Sequence, residues 1–308
     1  MRGRKPKCLR VRWTDRSLSS NETLPVKLER FDHPLASQRV NGRASLGVRR
    51  TDGRSRVAVL EQAGAAKIRL PANAGDPLEA ILINTAGGMT GGDRLDWTIS
   101  AGEGASVVAT TQACEKAYRS AQGEAAVSTR LTVARGGHIA WLPQETIVYD
   151  RSALTRRIDA DLEAGATALI CEATIFGRQA MGETVGHASF RDAWRVRVAG
   201  RLVHAENLAL TGEVGALLNR KAILDGATAM ATVLLVSPGA ETCLDRARSI
   251  AGEQGGVSAW RVGGQDDAGI GKLLARLVAK DGYDLRRRLV PLLELLNGQA
   301  LLPKVWSL

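Results

Sequence analysis

The candidate chemistry of this chain is carried by oxygen-bearing side chains at the ends of apolar runs. Thr110-Thr111-Gln112-Ala113-Cys114-Glu115 closes one such run. Gln144-Glu145 follows Trp141-Leu142-Pro143, Asp150 follows Val148-Tyr149, and Glu172 follows Ile170-Cys171. Hydroxyl, amide and carboxylate oxygens hold divalent cations weakly and exchangeably compared with thiolate or imidazole cages. Brought together, these groups would suit passage of a metal ion better than its storage. Kept apart, they are an ordinary network of strand-end caps and Arg–carboxylate pairs. A third arrangement, with Glu145 and Glu172 facing each other as acid and base, would suit a β-sandwich hydrolase.

Other chemistries lack their residues. Gly271-Lys272 resembles the end of a P-loop, but Asp266 stands where the first Gly is needed and Leu273 where the Ser/Thr is needed. There is no G-x-S-x-G elbow, no H-x-x-x-H and no C-x-x-C. His33, His138, His187 and His204 stand alone, and Cys8, Cys114, Cys171 and Cys243 are scattered. A permanent zinc or iron site and a disulfide framework are not indicated.

The stretch Ile83–Leu95, INTAGGMTGGDRL, has neither a following Lys nor the G-x-G-x-x-G order. It reads as a backbone device, a sharp turn against neighbouring strands, with Asp93 capping exposed N–H groups or pairing with an Arg. Short apolar runs closed by Gly or Pro, such as Val57–Leu60 and Lys67–Leu70, read as strands. Trp194–Val198 alternates, with Trp194, Val196 and Val198 toward a core, and Ala199-Gly200 turns the chain into Arg201–His204. Gly102–Thr110, Arg135–Leu142 and Glu163–Ile170 repeat one pattern, a glycine turn and then a small-apolar strand, 33 and 28 residues apart. The expected fold is mainly β, two stacked layers with repeated turn geometry and a few helices within 240–298. Ala231–Val236 and Val257–Val262 read as strands, and Leu244, Ala247 and Ala251 as a helix. Ile270, Leu273, Leu274, Leu277 and Val278 fit one face of a further helix. A last helix is expected after Asp284 as N-cap, with Leu285, Leu289, Leu292, Leu293 and Leu296 on one side, Pro291 inside and Gly298 at its stop.

Net charge is +10, and residues 1–40 hold ten Lys/Arg against four acids, more than half of the excess. That stretch reads as a basic, disordered extension, leaving residues 41–308 as the folded domain. A nucleic-acid reader led by this tail is the reading it displaces. No apolar run reaches a membrane span and no signal peptide is apparent, so the expected compartment is the cytoplasm.

Four ordered stretches carry a family resemblance. Asn84–Asp93 and Thr110–Arg119 closely resemble two hallmark stretches of the urease accessory protein UreD (UreH) family. Trp141–Glu145 and Phe176–Glu183 look like two more, and the likeness runs from about Gly42 to the C-terminus. The resemblance implies a non-catalytic cytoplasmic scaffold that binds apo-urease on one side and UreF on the other. UreF in turn holds the GTPase UreG, which brings nickel. It also implies transient Ni2+ in a polar internal tunnel, with no tightly bound cofactor, nucleic acid or membrane. Carried over by position, the tunnel candidates are Thr110, Thr111, Gln112, Glu115, Glu145 and Glu172, with Asp93 and Asp150 after them. Trp306, Leu289 and Leu293 are candidate partner contacts, the alternative being their own core.

Overall fold

The computed structural model describes residues 39–71, 75–178, 181–262, 270–298 and 301–307. The extension expected over 1–40 lies outside them except for its last two residues. In chain order the strands are β1 (Asn41–Thr51), β2 (Arg54–Gly64), β3 (Ala66–Arg69), β4 (Leu78–Asn84), β5 (Arg94–Ala101) and β6 (Ser106–Thr111). Then come β7 (Glu115–Ala117), β8 (Ala125–Val133), β9 (His138–Leu142), β10 (Thr146–Val148), β11 (Ala153–Leu162) and β12 (Thr167–Phe176). β13 (Ala188–Val198) and β14 (Arg201–Gly212) precede helix α1 (Val214–Leu218) and β15 (Ala229–Ser237). Helix α2 (Leu244–Ala251), β16 (Gly255–Val262), β17 (Ile270–Ala279) and helix α3 (Gly282–Leu296) complete the strands and α-helices, with short 3-10 turns at Ala240–Cys243 and Lys304–Trp306.

One sheet runs β14-β13-β11-β8-β5-β1-β2, and the second runs β16-β17-β15-β12-β9-β6-β4-β3 with β7 and β10 attached. From β4 to β13 the chain alternates between the sheets. Each strand lies parallel to the one a turn earlier: β5, β8, β11 and β13 in the first sheet, β4, β6, β9 and β12 in the second. The middle of the protein is therefore a β-coil, the stacked layers expected from the repeat. Ser106, His138 and Thr167 stand in one register, so the true spacings are 32 and 29 residues, one off the alignment read from the glycines. Each turn is closed by an i to i+3 bond, Ala105 N to Gly102 O, Gly137 N to Ala134 O and Ala166 N to Glu163 O. The third position holds Gly104, Gly136 or Gly165, all at positive φ, which a type II turn demands.

Alternation along the strands divides the apolar residues between two cores. Trp97, Ile99, Leu131, Ile158, Ile170 and Trp194 fill the gap between the sheets. Leu169, Cys171, Ala173, Leu273 and Leu277 face the other way, onto α2, α3 and Trp306. Ala199 and Gly200 both take positive φ, the two-residue hairpin turn expected between β13 and β14.

Three expectations are corrected. Ile270–Val278 is strand β17, paired on both sides by β15 and β16. A strand buried on both faces places Leu274 and Val278 in one core and Leu273 and Leu277 in the other, so its apolar residues also satisfy a helical period. The N-cap of α3 is Asp281, whose carboxylate accepts from Asp284 N at 2.8 Å, three residues earlier than expected. Leu289, Leu293 and Trp306 are core rather than partner contacts, with 0%, 0% and 1% exposure. Trp306 Nε1 donates to Leu142 O at 3.1 Å, fastening the C-terminal segment to the second sheet.

Candidate functional site

The turns opposite the glycine corners are the longer ones, and all four hallmark stretches fall there. Met89 bridges Ala117, Ala117 pairs with Val148, and Val148 pairs with Phe176. All four residues are buried. The loops are laced by Met89 N to Lys116 O and Tyr118 N to Met89 O at 2.7 Å, Tyr149 N to Ala117 O at 3.1 Å, and Gly177 N to Val148 O at 2.8 Å. A short extra sheet thus stacks the hallmark loops rung on rung. The glycine loop holds backbone: Gly88 has φ +154°, and a Cβ there would lie 2.9 Å from Lys116 O. Asp93 is buried and accepts from Val40 N and Thr90 N, each at 2.8 Å.

Between these loops and β4 opens a cleft of about 400 Å³, lined by Asn84, Thr111, Gln112, Cys114, Glu115 and Trp97 among others. The Glu115 carboxylate accepts from Asn84 Nδ2 at 3.1 and 3.2 Å, and burial pushes its pKa up. Glu115, Thr146 and Thr174 are register partners on β7, β10 and β12. Parallel neighbours share a face, so all three point into the gap between the sheets.

Deeper in that gap, the Arg156 guanidinium lies between two buried carboxylates. It reaches Glu172 Oε2 at 2.5 Å and Asp192 Oδ2 at 2.6 Å. It also donates to Thr146 Oγ1 at 3.0 Å and Thr174 Oγ1 at 3.5 Å. Trp141 Nε1 donates to Glu172 Oε1 and Trp194 Nε1 to Asp192 Oδ1, both at 2.9 Å. One cation between two carboxylates leaves the cluster one positive charge short of balance when both are ionised. Burial pushes the Glu172 carboxyl up to about 7; Arg156 opposes this and Asp192 adds to it.

The opposite face of the same sheet carries a balanced pair. Arg286 of α3 grips Glu145 through Nε–Oε1 at 2.6 Å and Nη2–Oε2 at 2.8 Å, and also donates to Gln144 Oε1. Burial raises the Glu145 carboxyl, but the Arg286 bonds outweigh it and hold the group below the usual range. Cys114 Sγ donates to Glu145 Oε2 at 3.4 Å, and burial beside that carboxylate pushes the thiol up to about 11. Such a thiol is a poor nucleophile at neutral pH.

Known proteins can now be set beside this geometry. The profile of the family described as "UreD urease accessory protein" matches residues 40–307. A Urease accessory protein UreD 1 of Brucella abortus is 57% identical over 274 residues, covering 89% of this chain and 96% of that one. A Urease accessory protein UreD of Mesorhizobium japonicum is 56% identical over 283 residues, covering 92% and 99%. The chain belongs to the UreD family. As a UreD protein it is a urease accessory protein, with a role in urease maturation.

The UreD fold brings some of the expected residues together and separates others. Glu115 and Glu172 lie on the inner face, Thr111 and Gln112 at the cleft. Thr111 Oγ1 accepts from Gln144 N at 2.8 Å and donates to Ala113 O at 3.0 Å, so it braces the loop. Thr110 is buried with no hydrogen-bond partner for its hydroxyl among the described residues. Asp150 takes Gly186 N at 2.9 Å and His187 N at 3.0 Å and serves as a loop cap. Glu145 is turned away from Glu172 by the sheet, each held by its own arginine, so the acid–base pair of a hydrolase is not assembled. Among the described residues no group of three or more His, Cys, Asp or Glu could hold a metal ion, and no helix is long and apolar enough to cross a membrane.

Sequence reasoning missed Arg156 and Asp192, and it placed Trp141 and Trp194 without their roles as donors to the two carboxylates. A signal existed for the first two. Leu154, Ile158, Ala160 and Leu162 define the inner face of β11, and Arg156 sits in phase with them. Asp192 sits likewise between Phe190 and Trp194 on β13. A charged residue in phase with an apolar face is a buried charge in need of a partner.

Proposed function

We propose that this UreD protein is a non-catalytic scaffold that joins apo-urease to the UreF–UreG partners and lets Ni2+ pass through its interior toward the urease active site. The domain over residues 41–308 performs this in the cytoplasm, without a tightly bound cofactor. One observation supports this reading above others: the polar row from Glu115 through Thr146 and Thr174 to Arg156, Glu172 and Asp192, set inside an otherwise apolar gap.

Such a row is costly to bury, and an apolar filling of the same gap would be cheaper. Its donors are oxygens, which release nickel more readily than thiolates do. Two carboxyl groups share one guanidinium there, so a further cation is favoured once Glu172 is ionised. Glu145, tied to Arg286, braces the helix layer and stands outside this path.

The test is co-expression of Glu172→Gln and Asp192→Asn variants with the urease subunits and accessory partners. Urease nickel content should fall severalfold while the complex still co-purifies. Unchanged nickel content in both variants would end the transit role of the row.

A further inference from the structure

The hallmark loops leave an ordered ladder of side chains outside the coil that neither core uses. Tyr118 lies over Gly88 so closely that a Cβ there would meet its Cε2 at 2.3 Å, and its hydroxyl donates to Gly87 O at 3.3 Å. Tyr149 meets Tyr118 edge-on with centroids 5.1 Å apart. The Arg178 guanidinium lies 4.4 Å from the Tyr149 centroid, and Glu183 fixes its Nε at 2.6 Å. Tyr118 is 39% exposed, and Met181, in the Arg178 loop, is 74% exposed. Tyr118 and Arg178 are thus held in place by their neighbours and still shown to solvent, with Tyr149 buried between them. Side chains fixed before docking lose little entropy on binding, and tyrosine and arginine anchors carry a large share of binding energy.

The charges indicate what would dock. Each of the six carboxylates of these loops already has a partner within the chain. Asp93 and Asp150 cap backbone N–H groups, Glu115 takes Asn84, and Glu124, Glu145 and Glu183 each hold an arginine. The cations are not so engaged. The side chains of Lys116 and Arg119 form no hydrogen bond or ion pair among the described residues, and Arg151 has only a 3.6 Å contact with Asp150. Free positive charge flanks a rigid aromatic ladder.

We propose that this ladder and its flanking cations are a docking surface for a carboxylate-rich surface of a protein partner. The inference rests on the assembly reading above and names the face of the chain that it uses. Buried anchors set how long the complex lasts, and rim cations set how fast it forms.

The full chain is co-expressed with the urease subunits and accessory partners and purified at several salt concentrations. In the Arg119→Glu/Arg151→Glu variant the exposed cations change sign without touching either core. Tyr118→Ala removes the anchor. Each variant should retain about tenfold less of one partner than wild type, and wild-type capture should fall as salt rises. Circular dichroism like that of wild type in the double variant assigns the loss to docking. Wild-type capture of every partner by both variants overturns the inference and leaves the assembly reading standing. A wild type that captures none of the partners overturns both. Capture that nuclease abolishes assigns the cations to nucleic acid and also overturns it.

Discussion

Two arginine–carboxylate clusters sit back to back on the second sheet and behave differently. On the helix side, Arg286 and Glu145 form a two-point, charge-balanced clamp that lowers the carboxyl pKa. Between the sheets, Arg156 is shared by Glu172 and Asp192, and the Glu172 carboxyl is pushed up to about 7. Both use the same residue types at short distances. What separates them is stoichiometry and burial. One cation against one anion closes an account of charge; one against two leaves a site that a further cation or a proton can satisfy. The first arrangement is that of a fastener, the second that of a site poised to accept positive charge.

Breaking the inner cluster at its cation should have the largest effect. Arg156→Leu strands two buried carboxylates, and its cost should be about 3–5 kcal/mol in denaturant unfolding. A cost under about 1 kcal/mol would show that the carboxylates are reached by water and that the cluster is not sealed.

Next comes the contrast between the two glutamates. Glu145→Gln leaves Arg286 without its anion and should cost about 1–3 kcal/mol. Glu172→Gln leaves Arg156 with Asp192 as a balanced pair and should cost less than that. Reversal of this order would contradict the division into fastener and poised site.

The pH dependence sharpens the comparison further. A carboxyl whose folded pKa lies above its ordinary value of 4.5 binds its proton more tightly in the folded chain. Its stabilising contribution is complete below about 4.5 and is lost as pH rises through about 7, with a slope of at most about 1.4 kcal/mol per pH unit. Glu145 works in the opposite sense, stabilising above 4.5 and losing its contribution as pH falls below it. Unfolding curves between pH 4.5 and 7 should therefore flatten in Glu172→Gln and keep their shape in Glu145→Gln.

The smallest effect is expected at Thr110. Its hydroxyl is buried and unpartnered among the described residues, so Thr110→Val should change stability by less than about 1 kcal/mol, toward greater stability. A marked loss of urease nickel in that variant would place Thr110 on the path instead.

Several of these features were readable in the residues alone. Alternation at Trp194–Val198, the positive-φ turn at Ala199-Gly200 and the glycine-led repeat each depend on neighbours in sequence, and each appears in the fold. The backbone role of the glycine loop and the capping role of Asp93 were legible for the same reason. β17 was misread because a strand buried on both faces loses the polar half of its alternation. Of the polar candidates, Thr111, Gln112 and Glu115 line the cleft, whereas Glu145 and Asp150 are taken up by Arg286 and by a loop cap.

The sequence by itself determined the family, the mainly β character and the loops in which the polar residues lie, because local pattern and ordered motifs carry that information. Only the tertiary structure decided that Glu145 meets an arginine 141 residues away while Glu172 meets Arg156 on the other side of the sheet. The physical reason is that the face a strand presents, and the partner brought opposite it, follow from how the coil stacks. Burial then turns that choice of face into a difference in charge and protonation that no spacing along the chain records.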